Sequence, residues 1–252
     1  MSVTSLGIIG GGQLGSMLAT AAKKLNIKSV IYSDEPNAPA QNFCDLFICG
    51  KYNDDIKINE FISNVDIVTF EFENIPFNTL SKINEIKKVI PNPKINKIIQ
   101  NRLSEKDFLN KCNIRTTSYT SIKNEKDLRS SSDLIPGILK TCTLGYDGKG
   151  QFKISSKEIL DNIKIDYNNN YILEKTVNLK KEISVIVSRF GHQKYEVYEP
   201  IENVHEDQIL KYSKIPADIS NVILKKTIDS ILKQTYQNFY KKIWASLLRQ
   251  RK

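Results

Sequence analysis

The amino-terminal part of the chain alternates short apolar runs with segments whose apolar positions recur every three or four residues. The runs predict β-strands and lie at residues 4–9, 29–32, 43–48 and 65–70. Helical spacing predicts a helix between the first two strands and another around residues 56–63. Strands alternating with helices are typical of a parallel sheet covered on both faces. We therefore predict an α/β domain over residues 1–93, where a proline-rich segment interrupts the pattern.

The pattern changes after residue 93. Helical spacing predicts a helix over residues 94–112, and strands are expected at residues 137–140, 171–174, 183–187 and 195–198. Strands with long connections predict an α+β domain, which we place at residues 94–218. We expect residues 219–252 to form a divergent, basic, helical tail.

Composition narrows the class of protein. Of the 252 residues, 40% are hydrophobic, which is enough for a buried core, and no apolar run approaches the ~18 residues that span a bilayer. The net charge is +9, but five of the cations lie in residues 241–252, which contain no acid. The other lysines are scattered, unlike a nucleic-acid surface. The four cysteines form no CxxC pair, so we expect reduced thiols and no metal site of the zinc type. Together, these features of the composition predict a cytoplasmic protein without nucleic-acid or membrane partners.

A first glycine-rich turn follows the first predicted strand. Gly10 to Gly15 reads GGGQLG, and such a turn lets backbone amides reach an anion at a helix N-terminus. Asp34 ends the second strand, where a dinucleotide-binding domain places an acid for the ribose. An NAD-dependent oxidoreductase, a site for a smaller phosphate and a turn required only for packing all remain open from this motif.

A second glycine-rich turn is more informative. Lys140 ends a predicted strand, and the segment from Gly145 to Gln151 contains three glycines and Lys149. Its amides and ammonium group can cover a polyphosphate, with Lys140 as a second point charge. Glu174 ends one later strand and Glu182 begins the next, where carboxylates can meet ribose hydroxyls. Each residue alone could be ordinary surface charge, but their order favours a nucleotide site.

Several segments together resemble a known family. GIIGGGQLG, VTFEFENIP, NRLSEKDFL, KTCTLGYDGKGQ, YILEK and ENVHEDQIL occur in this order within residues 6–218. They are similar to the N5-carboxyaminoimidazole ribonucleotide synthetases, which are ATP-grasp enzymes of purine biosynthesis. The resemblance implies a Rossmann-like preATP-grasp domain followed by an ATP-grasp domain, here incomplete. It also implies ATP and Mg²⁺ as cofactors, with bicarbonate and 5-aminoimidazole ribonucleotide as the other substrates.

The resemblance also implies roles for individual residues. The ATP-binding positions are Arg102, Lys140, Gly145, Tyr146, Asp147, Gly148, Lys149, Gly150, Gln151, Glu174, Lys175, Thr176, Val177, Glu182 and His205. The positions for the aminoimidazole ribonucleotide are Gln13, Leu14, Glu71, Glu73, Tyr146 and Lys149. Bicarbonate must be phosphorylated to carboxyphosphate before an amine attacks it, so charge neutralisation by Lys140 and Lys149 is the expected catalytic contribution. If the fourth strand continues past Phe70, Glu71 and Glu73 project to the same side and could orient the acceptor.

The carboxyl-terminal segment departs from the family. ATP-grasp enzymes hold Mg²⁺ with late carboxylates, whereas the last acidic residue here is Asp229. We therefore expect a truncated chain with no metal ligands of its own and impaired activity. It could be a non-catalytic remnant, or one half of a split enzyme whose second chain supplies the metal site. The family also suggests a homodimer.

Overall fold

The computed structural model describes residues 4–144, 150–191, 194–206, 209–236 and 246–248. The chain forms two compact units, Met1–Lys97 and Ile98–Lys252. The domain limits predicted at residues 93 and 218 stay predictions. No helix in these described ranges combines the length and the apolar character that a membrane span requires.

The first unit is a four-stranded parallel sheet with its helices. In chain order its elements are β1 Ser5–Ile9, α1 Gln13–Lys24, β2 Lys28–Ser33, a 3-10 turn Pro39–Asn42, β3 Leu46–Cys49, α2 Asp55–Ser63, β4 Ile67–Phe70, α3 Phe77–Ile86 and α4 Pro93–Ile99. The strand order is β3-β2-β1-β4. The predicted parallel α/β arrangement is confirmed.

Both faces of this sheet are buried, which explains why its strands are nearly continuous apolar runs. Ile9 and Tyr32 face α2, where they join the fully buried Phe61 in one cluster. Ile8 and Ile31 point to the opposite face and pack with Ala19 of α1 in a second cluster. Successive residues of a strand point to opposite faces, so a strand between two layers needs apolar side chains at every position.

The second unit is built from antiparallel sheets. Its elements are α5 Arg102–Lys111, β5 Tyr119–Ile122, α6 Glu125–Arg129, a 3-10 turn Ser132–Leu134, β6 Gly137–Thr141, β7 Gln151–Ile154, α7 Lys157–Asn162, β8 Tyr171–Lys175, β9 Glu182–Val185, β10 Val187–Gly191, β11 Lys194–Val197, β12 Ile201–Glu206, β13 Ile209–Lys214, α8 Asn221–Tyr236 and β14 Ser246–Leu248. One sheet has the order β5-β8-β6-β7, another β13-β12-β9-β14, and β10 pairs with β11. The predicted α+β class is confirmed.

Three predicted elements differ from the structure. The helix expected over residues 94–112 is two helices, because the Asn101 side chain accepts hydrogen bonds from the amides of Leu103 and Ser104 and caps α5. The strand expected at residues 183–187 is divided between β9 and β10. Among the described residues of the tail, those of α8 are helical, whereas Ser246–Leu248 adds to the edge of β9 and supplies backbone partners for this edge.

Candidate functional site

The first glycine-rich turn is built around the side chain of Glu71. Glu71 follows β4, which lies beside β1, so the carboxyl ends of both strands meet at the same edge of the sheet. The Gly12 amide donates to Glu71 Oε1 at 3.1 Å. A Cβ atom on Gly10, whose φ is +107°, would lie 2.4 Å from Glu71 Cγ. Only glycine therefore allows the carboxyl group to approach this closely.

The charge of Glu71 bears on the NAD alternative. Burial raises the pKa of Glu71, although hydrogen bonds from the Gly12 and Gly15 amides act in the opposite direction. A dinucleotide pyrophosphate needs these turn amides as donors, and Glu71 already accepts from one of them. Asp34, the expected ribose ligand, is exposed after β2. The turn thus carries an internal carboxylate where an oxidoreductase of this type binds its cofactor.

The other residues predicted to bind the aminoimidazole ribonucleotide lie around this turn. Gln13 and Leu14 begin α1 and are exposed, with 55% of Leu14 accessible. Glu73 is also exposed, whereas Glu71 is only partly accessible. β4 ends at Phe70, so the continuation that would place both carboxylates on the same side of a strand is absent. Glu71 supports the turn with its carboxyl group, and Glu73 is an exposed residue of the loop that follows.

Two of the predicted nucleotide residues, Lys140 and Glu174, share one face of the β5-β8-β6-β7 sheet. Lys140 pairs with Ile172, and Glu174 pairs with Tyr119 across β5 and with Ile138 across β6. Residues paired in this way point to the same face, which makes Lys140 and Glu174 diagonal neighbours. Alternate residues of these strands form a core on the opposite face, with the helical residues Leu128 and Leu160.

Two lysines hold the Glu174 carboxylate. Lys140 Nζ donates to Glu174 Oε2 at 3.0 Å, and Lys106 Nζ lies 3.4 Å from Oε1. All three side chains are only 13–15% exposed. Burial alone would raise the pKa of Glu174, but the two ammonium groups outweigh it and hold the pKa below its ordinary value. The cluster therefore contains a carboxylate that stays ionised and two cations.

Lys106 was not among the predicted site residues. It lies on α5 four positions after Arg102, so both side chains project from the same side of the helix. That spacing is the signal from which it could have been found. Arg102 Nε donates to the carbonyl of Thr141 at 3.2 Å, and its amide donates to the carbonyl of Cys142 at 2.9 Å. α5 is thus tied to the end of β6.

The described residues that flank the second glycine-rich turn are bonded to each other. Gly150 has a φ of +68°, and its carbonyl accepts from the Thr141 amide at 3.0 Å. Gln151 begins β7 and pairs with Lys140. The predicted residues Gly145, Tyr146, Asp147, Gly148 and Lys149 lie outside the described residues. The described residues on either side of the turn therefore belong to the pair of strands that carries Lys140.

The segment Glu174–Val177 leaves the sheet with part of its backbone already bonded. The Lys175 amide donates to the Ser118 carbonyl at 2.9 Å, and the Thr176 amide donates to the Pro136 carbonyl at 2.8 Å. The Lys175 carbonyl accepts from Thr117 Oγ1 at 2.6 Å. A ligand at this edge must therefore use the remaining backbone groups of the segment.

Glu182 and His205 lie together on the other large sheet. Glu182 begins β9 and pairs with Asn203 of β12, two residues before His205. His205 Nδ1 is 3.6 Å from Glu182 Oε1, and the Glu182 side chain is 8% exposed. The structure therefore places the predicted nucleotide residues in two clusters on separate sheets of the second unit.

Comparison with known proteins identifies the family. A model of the ribonucleotide synthetase preATP-grasp domain matches residues 3–100, and a model of the ATP-grasp domain matches residues 107–241. The chain belongs to the ATP-grasp family. The predicted order of a preATP-grasp domain followed by an ATP-grasp domain is thereby confirmed.

Three of the proteins that this chain resembles carry closely similar names. It is 36% identical over 222 residues to the N5-carboxyaminoimidazole ribonucleotide synthase of Brucella melitensis, covering 86% of this chain and 61% of that protein. The Staphylococcus aureus synthetase complexed with ADP is 30% identical with a TM-score of 0.82, covering 92% and 64%. The Aspergillus clavatus enzyme, in complex with ADP and 5-aminoimidazole ribonucleotide, is 26% identical with a TM-score of 0.79, covering 92% and 62%. The predicted resemblance is confirmed, and the chain spans 61–63% of the length of two curated relatives that it matches.

Proposed function

We propose that this chain binds ATP through its second unit and 5-aminoimidazole ribonucleotide through its first, for ATP-dependent carboxylation to N5-carboxyaminoimidazole ribonucleotide. The observation that carries the proposal is the cluster of Lys106, Lys140 and Glu174 at the end of a sheet, on the strand that precedes the second glycine-rich turn in sequence. Relatives named for this reaction, one of them bound to ADP and the ribonucleotide, support the choice of ligands.

The nucleotide contacts follow from the chemistry of each group. Lys140 is a point charge for phosphate, and the Gly145–Gln151 turn would cover the phosphates with backbone amides. The backbone of Lys175 to Val177 would meet the adenine through groups not already used by the fold. Glu182 would accept from ribose hydroxyls, with His205 beside it. Arg102 holds the strand end from which the turn departs.

The acceptor contacts are proposed for the exposed side of the first glycine-rich turn. Gln13, Leu14 and Glu73 are accessible there, and the carboxylate of Glu73 can orient an amine. Tyr146 and Lys149, which lie outside the described residues, complete the proposed set. Glu71 would act by shaping the turn.

The proposed chemistry has two balanced steps. A bicarbonate oxygen attacks the γ-phosphorus of ATP, which forms carboxyphosphate and releases ADP. The amine of the ribonucleotide then attacks the carbonyl carbon, loses a proton and expels phosphate, so one bicarbonate oxygen leaves in the phosphate. Cationic Lys140 and Lys149 would stabilise the charge on the transferring phosphoryl group.

Magnesium does not fit the described residues. Among them, no group of three His, Cys, Asp or Glu side chains is placed to hold a metal ion. Glu174 is already paired with two lysines, so its oxygens are not available as hard ligands. No step of the proposal is therefore assigned to a metal held by these residues.

Calorimetric titration of the full chain tests the nucleotide proposal. ATP and ADP should bind, and NADH should not. Lys140→Met should weaken ATP binding by about tenfold, since it removes a buried charge partner. Lys126→Met, an exposed lysine on α6 at the opposite face of the sheet, should leave binding unchanged. A folded wild-type chain that binds neither ATP nor ADP would refute the proposal.

Isotope transfer tests the reaction. With ¹⁸O-labelled bicarbonate, ATP and the ribonucleotide, the released phosphate should carry one labelled oxygen. Phosphate release without the label would refute the carboxyphosphate route. Release that does not depend on the ribonucleotide would refute the proposed acceptor. Light scattering would test the expected homodimer.

A further inference from the structure

We propose that Lys106 is a positioning residue of the nucleotide site, which keeps Glu174 ionised when Lys140 turns from Glu174 to phosphate. This inference rests on the proposed binding of ATP. It assigns a role to a lysine that neither the motifs nor the resemblance singled out.

The geometry gives Glu174 two partners on different elements. Lys140 reaches Oε2 from β6, and Lys106 reaches Oε1 from α5. Each carboxylate oxygen thus has its own ammonium group. Loss of one partner leaves the other pair intact, so the two lysines can act separately.

Lys106 has a second contact besides Glu174. Lys106 Nζ lies 5.5 Å from the centre of the Tyr119 ring, a distance at which a cation is attracted to an aromatic face. The Tyr119 hydroxyl donates to Asp107 Oδ1 at 2.7 Å and accepts from Asn110 Nδ2 at 2.9 Å. The ring is therefore fixed to the helix that carries Lys106. Lys140 instead stands on the strand that leads into the glycine-rich turn.

Charge balance explains why the second lysine is required. The cluster of two cations and one carboxylate has a net charge of +1, which favours an incoming polyphosphate. If Lys106 were absent, the Glu174 carboxylate, which is only 13% exposed, would face the anion without a partner once Lys140 contacts phosphate. Burial and the phosphate charge would both drive it to take up a proton. Lys106 prevents this by remaining paired with Oε1.

A double-mutant cycle on the full chain tests the inference. Lys106→Met should weaken ADP binding about tenfold in the wild-type background, as expected for truncating one partner of a desolvated charge pair. In the Glu174→Gln background the same change should cost less than about threefold, because no carboxylate remains to be held. Lys106→Arg should restore most of the affinity. Lys111→Met, an exposed lysine on the same helix, is the control.

Proton uptake gives a second readout. Calorimetric titrations in buffers of different ionisation enthalpy measure the number of protons taken up when ADP binds. Lys106→Gln should take up more protons than the wild type. The ionisation of ADP itself contributes equally to both proteins and therefore cancels in the comparison. If Lys106→Met weakened ADP binding equally in the wild-type and Glu174→Gln backgrounds, this would overturn the inference and indicate direct contact of Lys106 with phosphate. Unchanged affinity and proton uptake would also overturn it. A folded wild type that binds no ADP would instead refute the proposed function.

Discussion

The contact between Gly10 and Glu71 makes a quantitative prediction for the first unit. In Gly10→Ala the new Cβ would lie 2.4 Å from Glu71 Cγ and 2.8 Å from Oε1, with φ at +107°. Backbone strain at such a φ costs about 1–3 kcal/mol, and overpacking costs about 1–3 kcal/mol more. Alanine restricts the unfolded chain, which returns about 0.4–1 kcal/mol. We expect a net destabilisation of about 2–4 kcal/mol.

Hydrogen exchange of peptides from β1 and β2 measures this loss in the full chain. The opening free energy of these peptides should fall in Gly10→Ala, and the same measurement on β8 peptides separates a local effect from unfolding of the whole chain. Glu71→Ala is the matched second variant because it removes the overlap and leaves the φ strain. The pair should show a coupling of about 1–3 kcal/mol. A Gly10→Ala effect below about 0.5 kcal/mol, or additive effects of the two changes, would refute the assigned contact.

Three further predictions concern single carboxylates. Because the pKa of Glu71 is raised, the folded state binds the proton of this group more tightly than the unfolded state does. The stability of the wild type relative to Glu71→Gln should therefore rise as pH falls through the folded pKa towards the ordinary value, measured as the difference in Tm. The lowered pKa of Glu174 has the opposite sign: the advantage of the wild type over Glu174→Gln at pH 7 should disappear in acid as pH falls through the folded pKa, in the same assay. Asp54→Ala removes the cap of α2 and should cost about 1 kcal/mol by hydrogen exchange of that helix, whereas Asp55→Asn at an exposed ion pair should cost below about 0.5 kcal/mol.

The first unit was predictable because its strands are buried on both sides. Runs such as Ser5–Ile9 are recognisable without knowledge of their neighbours. β13 was missed for the opposite reason: all six residues of Ile209–Lys214 are exposed, so no buried face produces an alternating pattern. The break between α4 and α5 depends on one capping side chain, Asn101, inside an otherwise helical pattern.

The site residues were predictable one by one, but their partners were not. Lys140 and Glu174 stand at strand ends, which local pattern reveals. Their ion pair depends on the register of β6 against β8, which is set by contacts between residues 34 positions apart. The spacing of Lys106 from Arg102 is visible in the sequence, but its pairing with Glu174 depends on how α5 packs on the sheet.

Glu71 also has a consequence for reading glycine patterns in other proteins. A loop spaced for an anion can be filled by an acid from the neighbouring strand of the same chain, so the spacing by itself does not report a soluble ligand. Any attempt to convert this turn into a cofactor site would first have to remove that resident side chain.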